Sequence, residues 1–245
     1  MNTQENNENA AVNNFNHLVR DMEYFEDNRE EMFPLLDGFM SSIETMLLHG
    51  QAGSGKSLFT YSLVRALASD DGEFLGIPCA KGLKVLFCDG EMHNNTIADR
   101  AKTLGKHPNI QYISTTDAIK VDKKAINLSD DEDKYKLIQT IKDGGFKVVV
   151  FDSVRTLWSM DDENSSSDWR TLNDLITHLR NLNCAVIFVH HNNKTGNYSG
   201  SSNAETYVDR TCAIEQAGKG MWCLKIGSKM GRDKMGWSEE IQTLC

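Results

Sequence analysis

The stretch HGQAGSGKS at residues 49–57 combines residue types and a spacing that could do chemistry. It satisfies the pattern G-x-x-x-x-G-K-[ST] without a mismatch, through Gly50, Gln51, Ala52, Gly53, Ser54, Gly55, Lys56 and Ser57. Glycines let the backbone N–H groups of such a loop curl around phosphate oxygens, and the N-terminus of a following helix adds partial positive charge. The pattern predicts a nucleoside triphosphate site, with ATP as the first candidate. We expect Lys56 to reach the β- and γ-phosphates and the Ser57 hydroxyl to coordinate Mg²⁺.

Two predicted strand ends supply candidate acids for this site. Asp152 closes the apolar run KVVVFD, and we expect it to hold Mg²⁺ through water beside the phosphate loop. Ser153 then stands where many such sites have the glutamate that polarises water. The base must therefore come from elsewhere, and Glu91, just after the run KVLFCD, is our candidate. Asp89 is a second candidate, which we expect to be structural because it lies closer to the strand.

Two adjacent histidines, His190 and His191, end the apolar run CAVIFVH and continue into Asn192, Asn193 and Lys194. Successive side chains of a strand point to opposite faces, so one histidine should face the sheet and the other the site. We predict that His191 senses whether the γ-phosphate is present and relays this to the following loop.

The segments that must position these residues alternate between strand and helix. Continuous apolar runs predict strands buried on both faces at 45–50, 84–89, 147–152 and 184–190. Three segments show helical patterns. The first follows the glycine loop and contains Leu58, Phe59, Leu63, Val64 and Leu67, and the second starts at a capping box of Ser129 and Glu132. The third contains Trp169, Leu172, Leu175, Ile176 and Leu179. This order predicts an α/β fold with a doubly wound, mainly parallel sheet and helices on both faces. Short strands near 211–215, 221–227 and 236–242 predict an antiparallel extension.

The N-terminal residues differ in composition from this core. Residues 1–14 are rich in Asn and Glu and predict a mobile tail. Residues 15–32 form the predicted N-terminal linker helix, because Phe15, Leu18, Val19, Met22 and Phe25 recur at helical spacing. Its apolar face could pack on its own domain or dock on a neighbouring subunit. Residues 33–245 are the predicted catalytic domain.

Composition excludes several classes of protein. The 245 residues carry a formal charge of −9, which argues against a protein that coats duplex DNA through a basic face. Long apolar runs and a signal peptide are absent from the sequence, so we expect no membrane partner and a cytoplasmic location. The six cysteines include no C-x-x-C pair, and we expect reduced thiols rather than a disulfide framework or a zinc site.

With these segments in place, the chain resembles the RecA-like P-loop ATPases that include RepA-type hexameric replicative helicases and, more distantly, the DnaB and RadA/KaiC groups. The matching pieces are GQAGSGKS, DGEM, VVVFDS, VHHNNK and GSSNAETYVDR, in this order. The resemblance implies that Glu91 is the catalytic base, that the residue ending the fourth strand is a γ-phosphate sensor, and that subunits form a homo-oligomeric, hexameric ring.

The same resemblance assigns roles to two further segments. Residues 192–203, NNKTGNYSGSSN, would line a central channel and touch single-stranded DNA, with Lys194, Asn197 and Tyr198 as the contacting residues. A Lys and an Arg from the next subunit complete each site in the family. Lys229 and Arg232 are the matches here, although they stand one residue further apart than the family's spacing, and Arg210 competes for the role.

Three functions follow from these observations. The first is a ring-forming ATPase motor stimulated by single-stranded DNA, a helicase or translocase of plasmid or phage replication. The second is a recombination mediator or annealing ATPase that binds single strands without unwinding. The third is a regulatory ATP-dependent switch that acts on protein partners.

Overall fold

The computed structural model of the chain describes residues 14–159, 166–191, 207–218, 221–228 and 243–244. Its internal contacts divide the chain into two units, Met1–Met32 and Phe33–Cys245. Nearly all of the predicted tail, residues 1–13, lies outside the described residues. No helix in the described ranges has the length and apolarity that crossing a membrane requires.

The N-terminal unit contains a short 3₁₀ turn, Asn16–Leu18, and a helix α1, Met22–Asp27. One continuous helix over 15–32 was therefore a wrong prediction. The chain is extended at Val19, and Asp21 takes the extended conformation of an N-cap while its carboxylate accepts a hydrogen bond from the Tyr24 amide at 2.9 Å. The apolar side chains that suggested the helix are exposed, namely Phe15, Leu18, Val19, Met22 and Phe25.

The larger unit alternates strands and helices. Its strands are β1 Pro34–Leu36, β2 Met40–Ser41, β3 Thr45–Gly50, β4 Glu73–Phe74, β5 Ile77–Pro78, β6 Val85–Asp89, β7 Ile110–Ser114, β8 Val148–Asp152, β9 Ala185–His191, β10 Arg210–Gly218, β11 Met221–Ser228 and β12 Thr243–Leu244. Its helices are α2 Lys56–Ala68, α3 Asn94–Leu104, α4 Thr115–Asp122, α5 Asp131–Gly144, α6 Val154–Leu157 and α7 Ser166–Asn181.

The main sheet has the strand order β12-β11-β10-β3-β9-β8-β6-β7. The six strands from β10 to β7 are mutually parallel, whereas β11 and β12 are antiparallel additions at one side. This arrangement confirms the predicted α/β fold of the RecA-like P-loop type with its antiparallel extension. The third predicted strand of that extension, 236–242, lies outside the described residues.

Apolar layers cover both faces of the sheet, which explains why the strands are continuous apolar runs. Alternate residues such as Leu47, Phe151 and Phe188 face a layer that includes Trp169 of α7. Their neighbours Leu48, Val150 and Val189 face the opposite layer, which contains Leu63, Val64 and Leu67 of α2.

The N-terminus of α5 differs from the predicted capping box. Asp130, not Ser129, is the N-cap, and its carboxylate accepts from the Glu132 amide at 2.8 Å. The Ser129 hydroxyl instead donates to the carbonyl of Ser159 at 3.3 Å. Two adjacent residues could both cap this helix, and a tertiary hydrogen bond engages the serine elsewhere.

Of the cysteines in the described ranges, all but Cys223 are free thiols, as expected. In those ranges, the free thiols are Cys79, Cys88, Cys184 and Cys212. Cys223 is disulfide-bonded, which corrects the expectation that the thiols are reduced throughout.

Candidate active site

Four neighbouring parallel strands end at the same edge of the sheet. Their register places Gly50 of β3 beside His191 of β9, and Asp89 of β6 beside Asp152 of β8. Because β3, β9, β8 and β6 are consecutive in the sheet, the loops that follow them share this carboxyl edge. Open α/β sheets assemble their binding sites at such an edge.

The glycine loop between β3 and α2 has the backbone that its sequence requires. Gly53 and Gly55 have φ angles of 77° and 88°, in the left-handed region that favours glycine. A Cβ at Gly50 would lie 2.5 Å from the carbonyl oxygen of Ile214, so a side chain cannot fit there. Among the described residues, no acceptor pairs with the amides of Gly53, Gly55, Lys56 and Ser57. These amides are therefore available to bind an anion.

Lys56 opens α2 and is 3 % exposed. Its ammonium group donates to the carbonyl oxygens of Gly50 at 2.9 Å and Gln51 at 2.8 Å. Burial lowers the pKa of Lys56, while the negative charges of Asp152 and Glu91 act to raise it. The lysine thus lies in the electrostatic field of both predicted acids.

Asp152 ends β8 and is 3 % exposed. Burial raises its pKa to about 6, an effect that the Ser57 hydroxyl partly offsets and that the charges of Asp89 and Glu91 increase. Its Oδ1 is buried and has no hydrogen-bond partner in the described part of the chain. The peptide bond between Asp152 and Ser153 is cis.

Asp89 shapes the turn after β6. Its Oδ1 accepts from the amides of Glu91 at 2.9 Å and Met92 at 2.7 Å. Burial raises the pKa of Asp89, and these two amide hydrogen bonds lower it. The geometry is that of the structural role we expected, because the carboxylate fixes the backbone that carries Glu91.

Glu91 projects from this turn towards two other strand ends. Its Oε1 accepts from the Ser153 hydroxyl at 2.5 Å, and Nε2 of His191 lies 3.2 Å from Oε1 and 3.4 Å from Oε2. The hydrogen bond with His191 is the largest influence that lowers the pKa of Glu91, and burial opposes it. Ser153 and Lys56 lower this pKa further, so the carboxylate is ionised at neutral pH.

The two histidines face opposite sides, as strand alternation predicts. His190 is 1 % exposed, and its ring lies edge-on to Trp169 with centroids 6.2 Å apart. The His191 side chain is 30 % exposed and faces Glu91. His191 is therefore the histidine that meets the other site residues.

Arg210 is the predicted site residue that the structure places elsewhere. It begins β10 beside Met46, at the amino edge of the sheet, and is 5 % exposed. Its guanidinium donates to both carboxylate oxygens of Glu44, at 3.1 and 3.2 Å. In this chain the guanidinium is therefore buried and engaged with Glu44. Lys194, Asn197, Tyr198, Lys229 and Arg232 lie outside the described residues.

Three residues that sequence reasoning did not select contribute to the site. Ser153 contacts Glu91, Thr156 contacts Ser153, and Gly90 lies against Thr156. The glycine directly before the predicted base was a signal in the sequence, because it allows another chain segment to approach closely.

A glycine loop between a buried strand and a helix, with acids at the neighbouring strand ends, defines a P-loop nucleotide-binding domain. Residues 11–197, about three quarters of the chain, match the AAA domain family, and the chain belongs to it. This is a P-loop ATPase family that includes DnaB-like and RecA-like helicases, and it implies nucleotide binding and suggests ATP hydrolysis. A comparison with curated proteins gave no match.

Proposed function

We propose that the protein is an ATP-hydrolysing, RecA-like motor that acts as a ring-forming helicase or translocase stimulated by single-stranded DNA. The observation that carries the proposal is the convergence of Lys56, Asp152, Glu91 and His191 at one edge of the sheet. Phosphoryl transfer needs an anion cradle, a metal-holding acid and a group that orients water, and these residues supply all three.

The phosphate tail of ATP is proposed to bind the free amides of the glycine loop. Lys56 would exchange its contacts with the Gly50 and Gln51 carbonyls for the β- and γ-phosphates. This exchange keeps the ammonium group hydrogen-bonded in both states, so the buried charge is never left unpaired.

The residues present fit a magnesium ion. Oδ1 of Asp152, which is buried and has no hydrogen-bond partner among the described residues, and the nearby Ser57 hydroxyl are both oxygen ligands of the kind that Mg²⁺ prefers. We propose these two residues as its protein ligands. When bound, Mg²⁺ would neutralise charge on the β- and γ-phosphates.

Glu91 is proposed as the general base. It is ionised, it is partly open to solvent, and it lies in the field of Lys56, which would hold the γ-phosphate. A carboxylate within one water of the phosphorus can orient the nucleophile and take up its proton.

His191 is proposed as the γ-phosphate sensor. Its Nε2 lies 3.2 Å from Oε1 of Glu91, and residues 192–203, which are predicted to form a loop, follow it directly in the chain. A contact that changes when the base moves towards water would therefore act on that loop. Lys194, Asn197 and Tyr198 are our proposed contacts to single-stranded DNA, through charge, amide hydrogen bonding and base stacking.

Each site is proposed to be completed by Lys229 and Arg232 of the next subunit in a hexamer. An arginine supplied in trans can raise the rate of phosphoryl transfer by about 10³ to 10⁵. Arg210 is not proposed for this role, because it is paired with Glu44 within its own chain. The exposed apolar side chains of residues 15–25 favour the linker role of the N-terminal unit, in which they contact a neighbouring subunit.

Steady-state ATPase assays over a range of protein concentrations, with and without an unstructured oligonucleotide, test this function. We expect the turnover per chain to rise with both, and a forked duplex to be unwound in an ATP-dependent manner. Turnover that is flat in both titrations would contradict the motor. Stimulation by the oligonucleotide without unwinding would favour the annealing or recombination alternative.

A further inference from the structure

Ser153 stands between the predicted magnesium ligand and the proposed base. It follows Asp152 directly, it is 0 % exposed, and its Oγ lies 2.5 Å from Oε1 of Glu91. The two residues are 62 positions apart in the chain, so this contact joins the end of β8 to the turn after β6.

The direction of this hydrogen bond follows from a count of protons. An ionised carboxylate can only accept, so Ser153 must donate to Glu91. Thr156 donates its own hydroxyl hydrogen to the carbonyl of Ser153 at 3.1 Å, and its Oγ1 accepts from the Ser153 amide at 3.3 Å. Thr156 therefore fixes the serine while leaving the serine hydroxyl hydrogen for Glu91.

The turn that carries Glu91 also contacts the chain around Ser153. The Gly90 amide donates to the carbonyl of Asp152 at 2.8 Å. A Cβ at Gly90 would lie 2.3 Å from Oγ1 of Thr156, so only glycine lets the turn approach this closely. Backbone and side-chain contacts thus hold the end of β6 against the start of α6.

The two oxygens of Glu91 are consequently not equivalent. Oε1 has Ser153 at 2.5 Å and His191 at 3.2 Å, whereas Oε2 has only His191, at 3.4 Å, among the described residues. We propose that Ser153 is a positioning residue for hydrolysis, which holds Oε1 of Glu91 and leaves Oε2 to orient the attacking water. This inference rests on the proposed function of Glu91 as the base.

The proposal explains how the site works with a serine after Asp152. The base comes from a different strand, and the serine hydroxyl anchors that base instead of supplying it. The hydrogen bond from Ser153 stabilises the ionised form of Glu91 and therefore reduces its basicity, but it also fixes the orientation of the carboxylate. A misplacement of about 1 Å can cost about 10²-fold in rate, which is more than a modest change in basicity would.

The test uses the full-length Ser153→Ala variant, with fluorescent ATP-analogue binding and kcat measured as a function of pH. We expect kcat to fall about 10- to 100-fold while nucleotide affinity stays within about twofold. The acid limb of the kcat profile should move to higher pH, because Glu91 loses a hydrogen bond that favours its charged form. The charged groups that face Glu91 are Lys56, Asp89, Asp152 and His191, and all of them are unchanged in the variant, so the change in the acid limb between the two proteins reports the serine.

Two further variants keep the test decisive. Thr156→Val removes the hydroxyl that fixes Ser153 and should give a smaller fall in kcat with the same direction of pH shift. Ser62→Ala removes a hydroxyl that donates to the Leu58 carbonyl on α2, its one side-chain hydrogen bond among the described residues, and it should leave kcat unchanged.

Each result separates this inference from the proposed function. If Glu91→Gln loses turnover but Ser153→Ala keeps normal or raised kcat, the positioning role is overturned and the proposed base stands. A lower kcat with an unmoved acid limb would also overturn it, because that pattern indicates general structural damage. If Glu91→Gln hydrolyses ATP normally, both assignments fail.

Discussion

The carboxyl and amino edges of the central sheet differ in whether their buried polar groups have hydrogen-bond partners. At the carboxyl edge, Oδ1 of Asp152, Oδ2 of Asp89 and Oγ of Ser54 are buried without a hydrogen-bond partner in the described part of the chain. At the amino edge, Arg210 pairs with Glu44, and Arg180 pairs with Asp209. Asp209 also accepts from the Thr45 amide at 2.9 Å, although the Thr45 hydroxyl has no partner among the described residues.

This difference indicates that the carboxyl edge is a binding site and that the amino edge stabilises the fold. Leaving a buried polar atom without a partner costs about 1 to 3 kcal/mol, so several such atoms at one edge persist only where something outweighs the cost. A ligand that brings its own hydrogen-bond donors, as proposed for this edge, would do so. In the described part of the chain, the charged groups of the amino edge pair with one another and hold β10 beside β3.

Lys56→Ala tests the carboxyl edge where the largest effect is expected. The variant removes the only ammonium group that the structure places in the glycine loop, so nucleotide binding should weaken and turnover should fall by about 10³-fold or more. Analogue binding and single-turnover hydrolysis measure the two effects separately. A variant that keeps near-normal turnover would show that the glycine loop is not where the triphosphate reacts.

The same chemical change at both edges gives the sharpest contrast. Glu91→Gln should keep nucleotide binding and lose about 10²- to 10⁴-fold in kcat, because an amide cannot take up the proton of water. Glu44→Gln removes the negative charge to which the buried Arg210 donates two hydrogen bonds, and we expect it to lower the free energy of unfolding by about 2 to 3 kcal/mol with kcat unchanged.

Denaturant unfolding and kcat, measured on both variants, complete the comparison. Our assignment of the chemistry to the carboxyl edge is contradicted if Glu44→Gln lowers kcat in folded protein and Glu91→Gln does not. Such a result would move the chemistry to the amino edge and would return Arg210 to consideration.

The sequence predicts the carboxyl edge well because its strands are buried on both faces. For β3, β6, β8 and β9, a continuous apolar run marks each strand, and the observed bounds agree with the predicted ones to within one residue at each end. Placement of the site residues then follows from the rule that parallel strands end at a shared edge. Alternation along β9 was enough to separate His191 from His190.

What the sequence does not predict depends on contacts between distant residues or on weak patterns. Ser153 and Glu91 are 62 residues apart, and Arg210 and Glu44 are 166 residues apart. No pattern of neighbouring residues in the sequence can therefore predict either contact. The strand β7 is only partly buried, and neither α3 nor α4 contains a buried residue, so their apolar patterns are weak.

A raised pKa is the most specific difference between the site carboxylate Asp152 and an ordinary carboxylate. The pKa of Asp152 is raised from 3.8 to about 6 by burial. A carboxyl that binds its proton more tightly in the folded state contributes stability below pH 3.8, and this contribution is lost as the pH rises through about 6.

In the nucleotide-free protein with a chelator present, Asp152→Asn should therefore gain stability relative to the unchanged protein between pH 4 and 6, by at most about 3 kcal/mol. Urea unfolding of both proteins across this range measures the difference, and the subtraction removes the carboxylates that they share. A stability difference that is independent of pH would mean that burial does not raise the pKa of Asp152, and the contrast between the two edges would then rest on Lys56 and Glu91 alone.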